Sequence, residues 1–119
     1  MNEKSPSFFL RHIVESIELI KEFSEDLTKT ELEKNKLKQS AIIRQIEIIG
    51  EAVKNLPIDF TSKYPFVSWS EIARARDKII HHYFGVDLNI IWNIIEIQLP
   101  ELKKDIEEII KKEERKNEK

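Results

Sequence analysis

The sequence predicts an all-α fold, an antiparallel bundle of four main helices with short accessory helices. Apolar residues recur at intervals near 3.6 along most of the chain, and no segment shows the period of two that marks a strand. Only two glycines and four prolines interrupt 119 residues, which favours long helices over a sheet rich in turns. Hydrophobic residues (40%) and charged residues (35%) are balanced as in a folded domain.

The first predicted helix begins at Ser5 and Pro6, because serine is a good N-cap and proline is tolerated at the first helical position. Its apolar stripe consists of Leu10, Ile13, Ile17, Ile20 and Leu27. Thr28 and Glu31 have the spacing of a capping box, which predicts a short accessory helix over residues 31–34.

A longer helix is predicted over about residues 36–56, where apolar residues recur at spacings of four and three. These residues are Ile42, Ile46, Ile49, Val53 and Leu56. Pro57 ends the helix, because the residue before a proline avoids the helical conformation.

The next segment, residues 57–67, is predicted to be a loop or a short irregular helix that tucks aromatic side chains under the bundle. A second capping box, Ser68 with Glu71, opens a main helix beyond it. That helix runs to about His82, and Gly85 is its expected stop.

The last predicted helix is N-capped by Asp87. Its apolar positions are Leu88, Ile91, Trp92, Ile95, Leu102, Ile106 and Ile109. Pro100 falls inside this pattern and should bend or divide the helix, because proline removes a backbone donor. Residues 1–110 are therefore expected to form the helical domain, and residues 111–119, which are charged and lack apolar side chains, a frayed tail.

Composition limits the classes of function. Cysteine is absent, which excludes disulfides and thiolate metal sites and favours a cytoplasmic protein. No signal peptide and no run of roughly 20 apolar residues is found, so no membrane partner is expected. The net charge of −2 argues against coating of long nucleic acid, so an RNA site would need local positive charge.

The helix from residue 69 carries a cation within its apolar stripe. The stripe consists of Trp69, Ile72, Ile79, Ile80 and Tyr83. Arg76 lies within roughly 60° of each of them on an ideal helix. A cation on a core-facing line is costly unless it is paired or lines a cleft. Two interpretations stay open at this point: Arg76 is paired with a carboxylate such as Glu47 or reaches the rim, or it belongs to a functional site.

Charge accumulates around this position. Arg74, Arg76 and Lys78 set three cations against Asp77. We interpret them as a modest positive patch that would suit one short RNA segment.

Histidine follows on the same helix. His81 would point about 140° away from Arg76 if the helix stayed regular. Either the helix unwinds near its end, or a two-fold dimer brings Arg76 and His81 of two chains into one cleft, which is the arrangement we expect. His82 is interpreted mainly as a favourable partner of the helix dipole.

Gly50 is a second unusual position, because a glycine within a helix costs up to about 1 kcal/mol relative to alanine. The usual compensation is the close approach of another helix. The face that carries Gly50 is therefore expected to pack near Arg76, with Glu47 or Arg44 at the edge of the cleft.

The pattern Arg76-x4-His81-x-Tyr83, with Asp77 directly after the arginine, resembles the signature of the HEPN superfamily. The surrounding sequence resembles its HepT branch, with Asp77 where asparagine is commoner. The matching segments are residues 43–53, 63–65, 69–73, 82–87 and 99–102. The resemblance covers nearly the whole chain.

This resemblance implies a metal-independent endoribonuclease without a cofactor, the toxin of a type VII-like toxin–antitoxin pair that cleaves tRNA or mRNA. It implies Arg76 and His81 as catalytic residues at the cleft of a homodimer. Tyr83 would receive AMP from the partner, a minimal nucleotidyltransferase that serves as antitoxin. The charge pattern itself, and not the resemblance, assigns Asp77, Arg74 and Lys78 a supporting role in RNA binding.

Two other classes of function remain open from the sequence. The chain could be a non-catalytic subunit whose cleft presents nucleotide or RNA to a nucleotidyltransferase. It could also be a helical interaction module without a substrate, although this leaves the position of Arg76 unexplained.

Overall fold

The computed structural model describes residues 5–80 and 87–117. These residues are helical with no strand among them, so the predicted all-α class is confirmed. The helices are α1 (Pro6–Ser24), α2 (Lys29–Lys34), α3 (Lys36–Asn55), α4 (Ile58–Thr61), α5 (Trp69–Ile80), α6 (Leu88–Asn93) and α7 (Leu99–Asn117). A π-helical segment, Ile94–Gln98, joins α6 to α7.

The helix starts follow the predicted capping chemistry. Ser5 is the N-cap of α1 in extended backbone, and Pro6 occupies the first helical position. The capping box of Thr28 and Glu31 is formed, and it starts α2 at Lys29, two residues earlier than predicted. The side chain of Asn35 caps α3 by accepting a hydrogen bond from the backbone of Lys38.

The core lies between α1, α3 and the C-terminal helices. Its most deeply buried side chains are Leu10, Ile13, Ile20, Leu32, Ile42, Ile49, Ile91, Ile106 and Ile109. Each side chain of this size contributes about 1.5–3 kcal/mol when it is fully buried. α1 and α7 run antiparallel, because Arg11 pairs with Glu114 at one end while Ile20 lines a groove with Leu99 at the other.

The segment between α3 and α5 is fixed to the bundle by an aromatic residue. It contains the short helix α4, and Phe60 and Tyr64 are buried as expected. The Tyr64 hydroxyl donates a hydrogen bond to the carboxylate of Glu113 on α7. Burial and this hydrogen bond raise the pKa of Tyr64 to about 12. The Trp69 indole also donates to the Tyr64 carbonyl oxygen at 3.1 Å, which ties the start of α5 to the same anchor.

The predicted irregularity at Pro100 lies just before the proline. Proline lacks a backbone donor, and its ring crowds the carbonyl four residues earlier, here that of Glu96. The turn before Pro100 widens accordingly, and the Leu99 amide donates to the Ile94 carbonyl oxygen five residues back. Asp87 caps α6 as predicted by accepting from the Asn89 amide.

The expected domain boundary at residue 110 and the frayed tail beyond it stay predictions. In the structure α7 extends to Asn117, and Glu113 on its last part accepts the hydrogen bond from Tyr64. This contact attaches the polar end of α7 to the segment between α3 and α5. No helix in the described part of the chain has the length and apolar character needed to cross a bilayer.

Candidate functional site around helix α5

Arg76 lies directly across Gly50 of α3. A Cβ atom built on Gly50 would stand 2.4 Å from the Arg76 Cβ and 2.5 Å from its Cγ, far inside van der Waals contact. Only a residue without a side chain permits this approach, so the prediction that Gly50 packs against Arg76 is confirmed. The arginine side chain is 22% exposed, which places its guanidinium between core and surface.

Two carboxylates hold this guanidinium. Asp77 accepts from Arg76 Nη1 at 3.1 Å, and Glu51 accepts from Nη2 at 3.5 Å. The same Asp77 oxygen accepts from Lys54 Nζ at 2.8 Å. Two cations and two anions from α3 and α5 therefore form one network, called the α3–α5 charge network below.

The acidic partner of Arg76 is not the residue named from the sequence. Glu47 forms an ion pair with Arg44 at 3.8 Å within α3, and Glu51, one turn further along, contacts Arg76. Because Gly50 fixes where α5 crosses α3, the adjacent Glu51 is the carboxylate within reach of the guanidinium.

Asp77 is stabilised as an anion in this network. The hydrogen bond from Lys54, followed by that from Arg76, lowers the pKa of Asp77 below its ordinary value. The lowered pKa favours the ionised carboxylate beside Arg76, and this carboxylate orients the guanidinium before any substrate arrives.

The guanidinium keeps unused hydrogen-bonding capacity. Arginine has five N–H donors, and the two ion pairs engage one donor on each terminal nitrogen. The Nε atom of Arg76 is buried and has no hydrogen-bond partner within the described residues. Because Nε is shielded, the donors that a ligand could contact are the remaining N–H groups on the two terminal nitrogens.

Arg74 and Lys78 lie on a different face of α5. Both side chains line a groove against α6 and the π-helical segment, together with Ile90 and Ile94. Residues two apart on a helix point about 160° away from each other. The three cations that the sequence analysis grouped as one patch are thus divided between two faces of one helix.

The other predicted site residues are His81 and Tyr83, and they lie outside the described residues, as do His82 and the expected helix stop at Gly85. Their roles, and the completion of the site by a second chain, stay predictions. Across residues 5–80 and 87–117, no group of three or more His, Cys, Asp or Glu side chains is placed to hold a metal ion.

Sequence reasoning missed Glu51 and Lys54 as members of the site. Lys54 follows Gly50 by four residues and so lies on the same face of α3, which made its proximity to α5 available from the pattern. Glu51 follows Gly50 directly, but the angle between two helices decides whether such a neighbour reaches across.

Known proteins are similar to this sequence over most of its length. The family model described as ribonuclease HepT-like matches residues 13–109. A protein of Methanocaldococcus jannaschii, provisionally named an RNase, is 51% identical over 111 residues, which cover 93% of this chain and 92% of that protein. A protein of Thermococcus cleftensis, provisionally named ribonuclease HepT, is 43% identical over 92% of this chain and 99% of its own length.

A third relative is longer. It is another M. jannaschii protein, named as a gamma-glutamylcyclotransferase and, provisionally, an RNase. It is 47% identical over 90% of this chain, which corresponds to 48% of that protein. No solved structure matches the chain. The match over most of the helical bundle, with relatives covered almost end to end, places this chain in the ribonuclease HepT-like family of the HEPN superfamily.

Proposed function

We propose that this chain is a metal-independent endoribonuclease and the toxin of a type VII-like toxin–antitoxin pair in the cytoplasm. Family membership and relatives named as RNases support the nuclease activity. The observation that carries the proposal is Arg76, which is fixed across Gly50 and between two carboxylates, while one N–H group on each terminal nitrogen has no partner among the described residues. An oriented guanidinium with free donors is suited to binding the oxygens of a phosphodiester.

The proposed reaction uses the ribose of the substrate as nucleophile. The 2′-oxygen attacks the adjacent phosphorus, a P–O2′ bond forms, and the P–O5′ bond breaks. The 2′-OH proton leaves to a base, and the departing 5′-oxygen takes a proton from an acid, so the products are a 2′,3′-cyclic phosphate and a 5′-hydroxyl. Histidine, with an ordinary pKa of about 6.5, suits either transfer, and His81 is assigned to it. Arg76 stabilises the charge that builds on the non-bridging oxygens.

A homodimer would complete this chemistry. On a regular helix His81 would point about 140° from Arg76, so one chain does not easily aim both side chains at one phosphate. Two chains related by a two-fold axis would provide two copies of each.

Control of the activity is proposed to act on Tyr83. A minimal nucleotidyltransferase, the cognate antitoxin, would transfer AMP to the Tyr83 hydroxyl. The added phosphate would bring negative charge to the Arg76 region and exclude the phosphate of the RNA.

The test is RNA cleavage by the purified protein, with tRNA and mRNA substrates, in EDTA and in Mg²⁺. Cleavage is expected in both buffers, with 2′,3′-cyclic phosphate ends identified by mass spectrometry. His81→Ala should abolish cleavage and relieve growth inhibition, with an unchanged circular dichroism spectrum. Arg115→Ala, which removes an exposed cation near the end of α7, is the matched control and should cleave as the unmodified protein does.

Three results would each contradict a different part of this proposal. Full cleavage by His81→Ala in EDTA would overturn the mechanism. RNA binding that weakens in Arg76→Ala, in a protein that never cuts RNA, would favour a non-catalytic partner subunit. Mass spectrometry of Tyr83 after co-expression with a neighbouring nucleotidyltransferase should show added AMP, and an unmodified tyrosine in a neutralised complex would contradict the proposed control.

A further inference from the structure

A groove separates α5 from α6 and the π-helical segment, on the side of α5 away from the α3–α5 charge network. Its volume is about 380 Å³. This lies near the lower end of the range for small-molecule sites, about 300–1,000 Å³. The residues of its wall and floor that matter here are Arg74, Ala75, Lys78, Ile90, Ile94 and Gln98.

The α5 wall of the groove follows from helical register. Arg74 and Lys78 are four residues apart, so they project from the same face, one turn above the other. Both side chains are exposed, and neither forms an ion pair within the described residues. Glu71 is the one carboxylate among the described lining residues, so the two cations give the groove an excess of positive charge that attracts an anion.

The opposite wall depends on the π-helical segment. In a regular α-helix, residues four apart overshoot one full turn by about 40°, so Ile90, Ile94 and Gln98 would rotate away from one another. The widened turn over Ile94–Gln98 reduces that drift. The buried Ile94 and the half-buried Gln98 both line this groove. Pro100, which causes the wide turn, therefore contributes to the shape of this groove.

We propose that this groove binds one nucleotide unit of single-stranded RNA, with its phosphate at Arg74 and Lys78 and its base against Ile90 and Ile94. The inference rests on the proposed function, since it assigns a second contact to the same substrate. The cation pair supplies the phosphate site, the apolar floor accepts the flat face of a base, and Gln98 offers both a donor and an acceptor to a base edge.

Neighbouring grooves indicate the path of the strand. A second groove of about 480 Å³ shares Glu71 and Arg74 with the first, and hydroxyl side chains line it. These side chains are Thr61, Ser62, Ser68 and Ser70. A third groove, which shares Gln98, contains the carboxylates of Glu101 and Asp105 and would repel a phosphate. The strand is therefore expected to pass Arg74 toward the hydroxyl groups and not toward α7.

The test measures binding separately from cleavage. A fluorescent, fully 2′-O-methylated single-stranded oligonucleotide has no attacking hydroxyl, so its Kd for the full chain can be measured by anisotropy at several salt concentrations. Arg74→Ala/Lys78→Ala should raise the Kd roughly tenfold at low salt. The slope of log K against log salt should fall by about 0.7, the value for the one phosphate contact that is lost.

Two further variants control for charge. Lys34→Ala/Arg115→Ala removes two exposed cations elsewhere and should leave the Kd nearly unchanged. Glu71→Gln removes the one carboxylate in the groove lining and should tighten binding, an effect that mere loss of structure would not produce.

The outcomes separate this inference from the proposed function. If the protein cleaves RNA while Arg74→Ala/Lys78→Ala binds like the control, the groove is not an RNA subsite and the proposed function stands. If the protein neither binds nor cleaves RNA, both are overturned. Binding of AMP in the groove without binding of the oligonucleotide would assign it to a free nucleotide and overturn the inference.

Discussion

The cations on the two faces of α5 differ in their burial and in their ion pairing. Toward α3, Arg76 is partly buried, lies across a glycine and contacts two carboxylates. Toward α6, Arg74 and Lys78 are exposed above an apolar floor, without an ion-pair partner in the described part of the chain. The first arrangement fixes one guanidinium in place, and the second leaves positive charge available to a partner.

This contrast separates two physical tasks that a positive patch can perform. A preorganised charge acts where charge develops in a reaction, because it needs no reorganisation when the transition state forms. Unpaired surface cations contribute to affinity, and their contribution falls as salt rises. We therefore expect the α3 face of α5 to govern turnover and the α6 face to govern binding.

The largest effect should come from Arg76. Arg76→Ala is expected to lower kcat by roughly 10²- to 10³-fold, the range seen when one transition-state donor is removed. Arg74→Ala should instead raise KM with little change in kcat. Steady-state cleavage of one defined oligonucleotide measures both constants for each variant.

Arg76→Lys sharpens this comparison. Lysine keeps the charge but lacks the planar fork that Asp77 and Glu51 hold, so its kcat should stay well below that of the unmodified protein. Equal effects of Arg76→Ala and Arg74→Ala on kcat would show that the two faces do not divide the tasks.

Gly50→Ala should give the next largest effect, because it forces the two helices apart. The new Cβ would meet the Cβ and Cγ atoms of Arg76, which lie too near the α5 backbone to rotate away. Overpacking of this kind costs roughly 1–3 kcal/mol, and the better helix propensity of alanine returns up to about 1 kcal/mol. Urea denaturation should therefore show a net loss of stability, together with a reduced kcat.

A matched substitution on the other face tests whether the cost is local. Ala75→Gly lies on the groove side of α5 and creates no new contact. It should lower stability by about 1 kcal/mol through its poorer helix propensity, and by at most about 0.8 kcal/mol more through loss of the methyl group that packs against the core. Gly50→Ala that is more stable than the unmodified protein, with full activity, would refute the packing argument.

Much of this fold could be predicted from the sequence, because helix formation depends largely on local features. These features are the capping boxes, the spacing of apolar residues and the small number of glycines and prolines. Thr28 and Asp87 cap helices as their sequence patterns predict, and the cost of Gly50 indicated a close helix contact. The choice between Glu47 and Glu51 depended on where α5 crosses α3, which no pattern within one helix encodes.

Two other differences between the predictions from the sequence and the structure have physical reasons. Counting charges along the chain grouped Arg74, Arg76 and Lys78 into one patch, whereas their angular positions on the helix divide them. The π-helical segment before Pro100 arises because the proline crowds the preceding turn, and that turn widens until the Leu99 amide donates to the Ile94 carbonyl oxygen. Neither the division of the cations nor the wide turn affects hydrophobic periodicity, which was the main basis for predicting the helices.

Lys54 offers a smaller test of the α3 face. Lys54→Met removes the shorter of the two hydrogen bonds to the Asp77 oxygen but keeps much of the side chain's apolar length. Exposed ion pairs contribute little to stability, so the free energy of unfolding should fall only slightly. A fall in kcat that exceeds this loss of stability would show that Lys54 positions Asp77 for Arg76, whereas an unchanged kcat would mean that Arg76 and Asp77 hold each other unaided.

The smallest expected effect is a change in pH dependence, and it distinguishes the two faces without a kinetic assay. The pKa of Asp77 is lowered in the folded chain, first by the hydrogen bond from Lys54 and then by that from Arg76. A carboxyl group whose pKa is lower in the folded than in the unfolded state stabilises the fold at pH values above its unfolded-state pKa. This contribution is lost as the pH falls through the folded-state pKa. Asp77→Asn should therefore be less stable than the unmodified protein at neutral pH, and the difference should vanish in acid, below the ordinary aspartate range.

In the Lys54→Met variant, NMR titration of the Asp77 carboxyl should show its pKa moving back toward the ordinary value, because the largest cause of the shift is gone. The double variant Arg74→Ala/Lys78→Ala should leave that titration unchanged, and a comparable shift there would show that the two faces of α5 are electrostatically coupled.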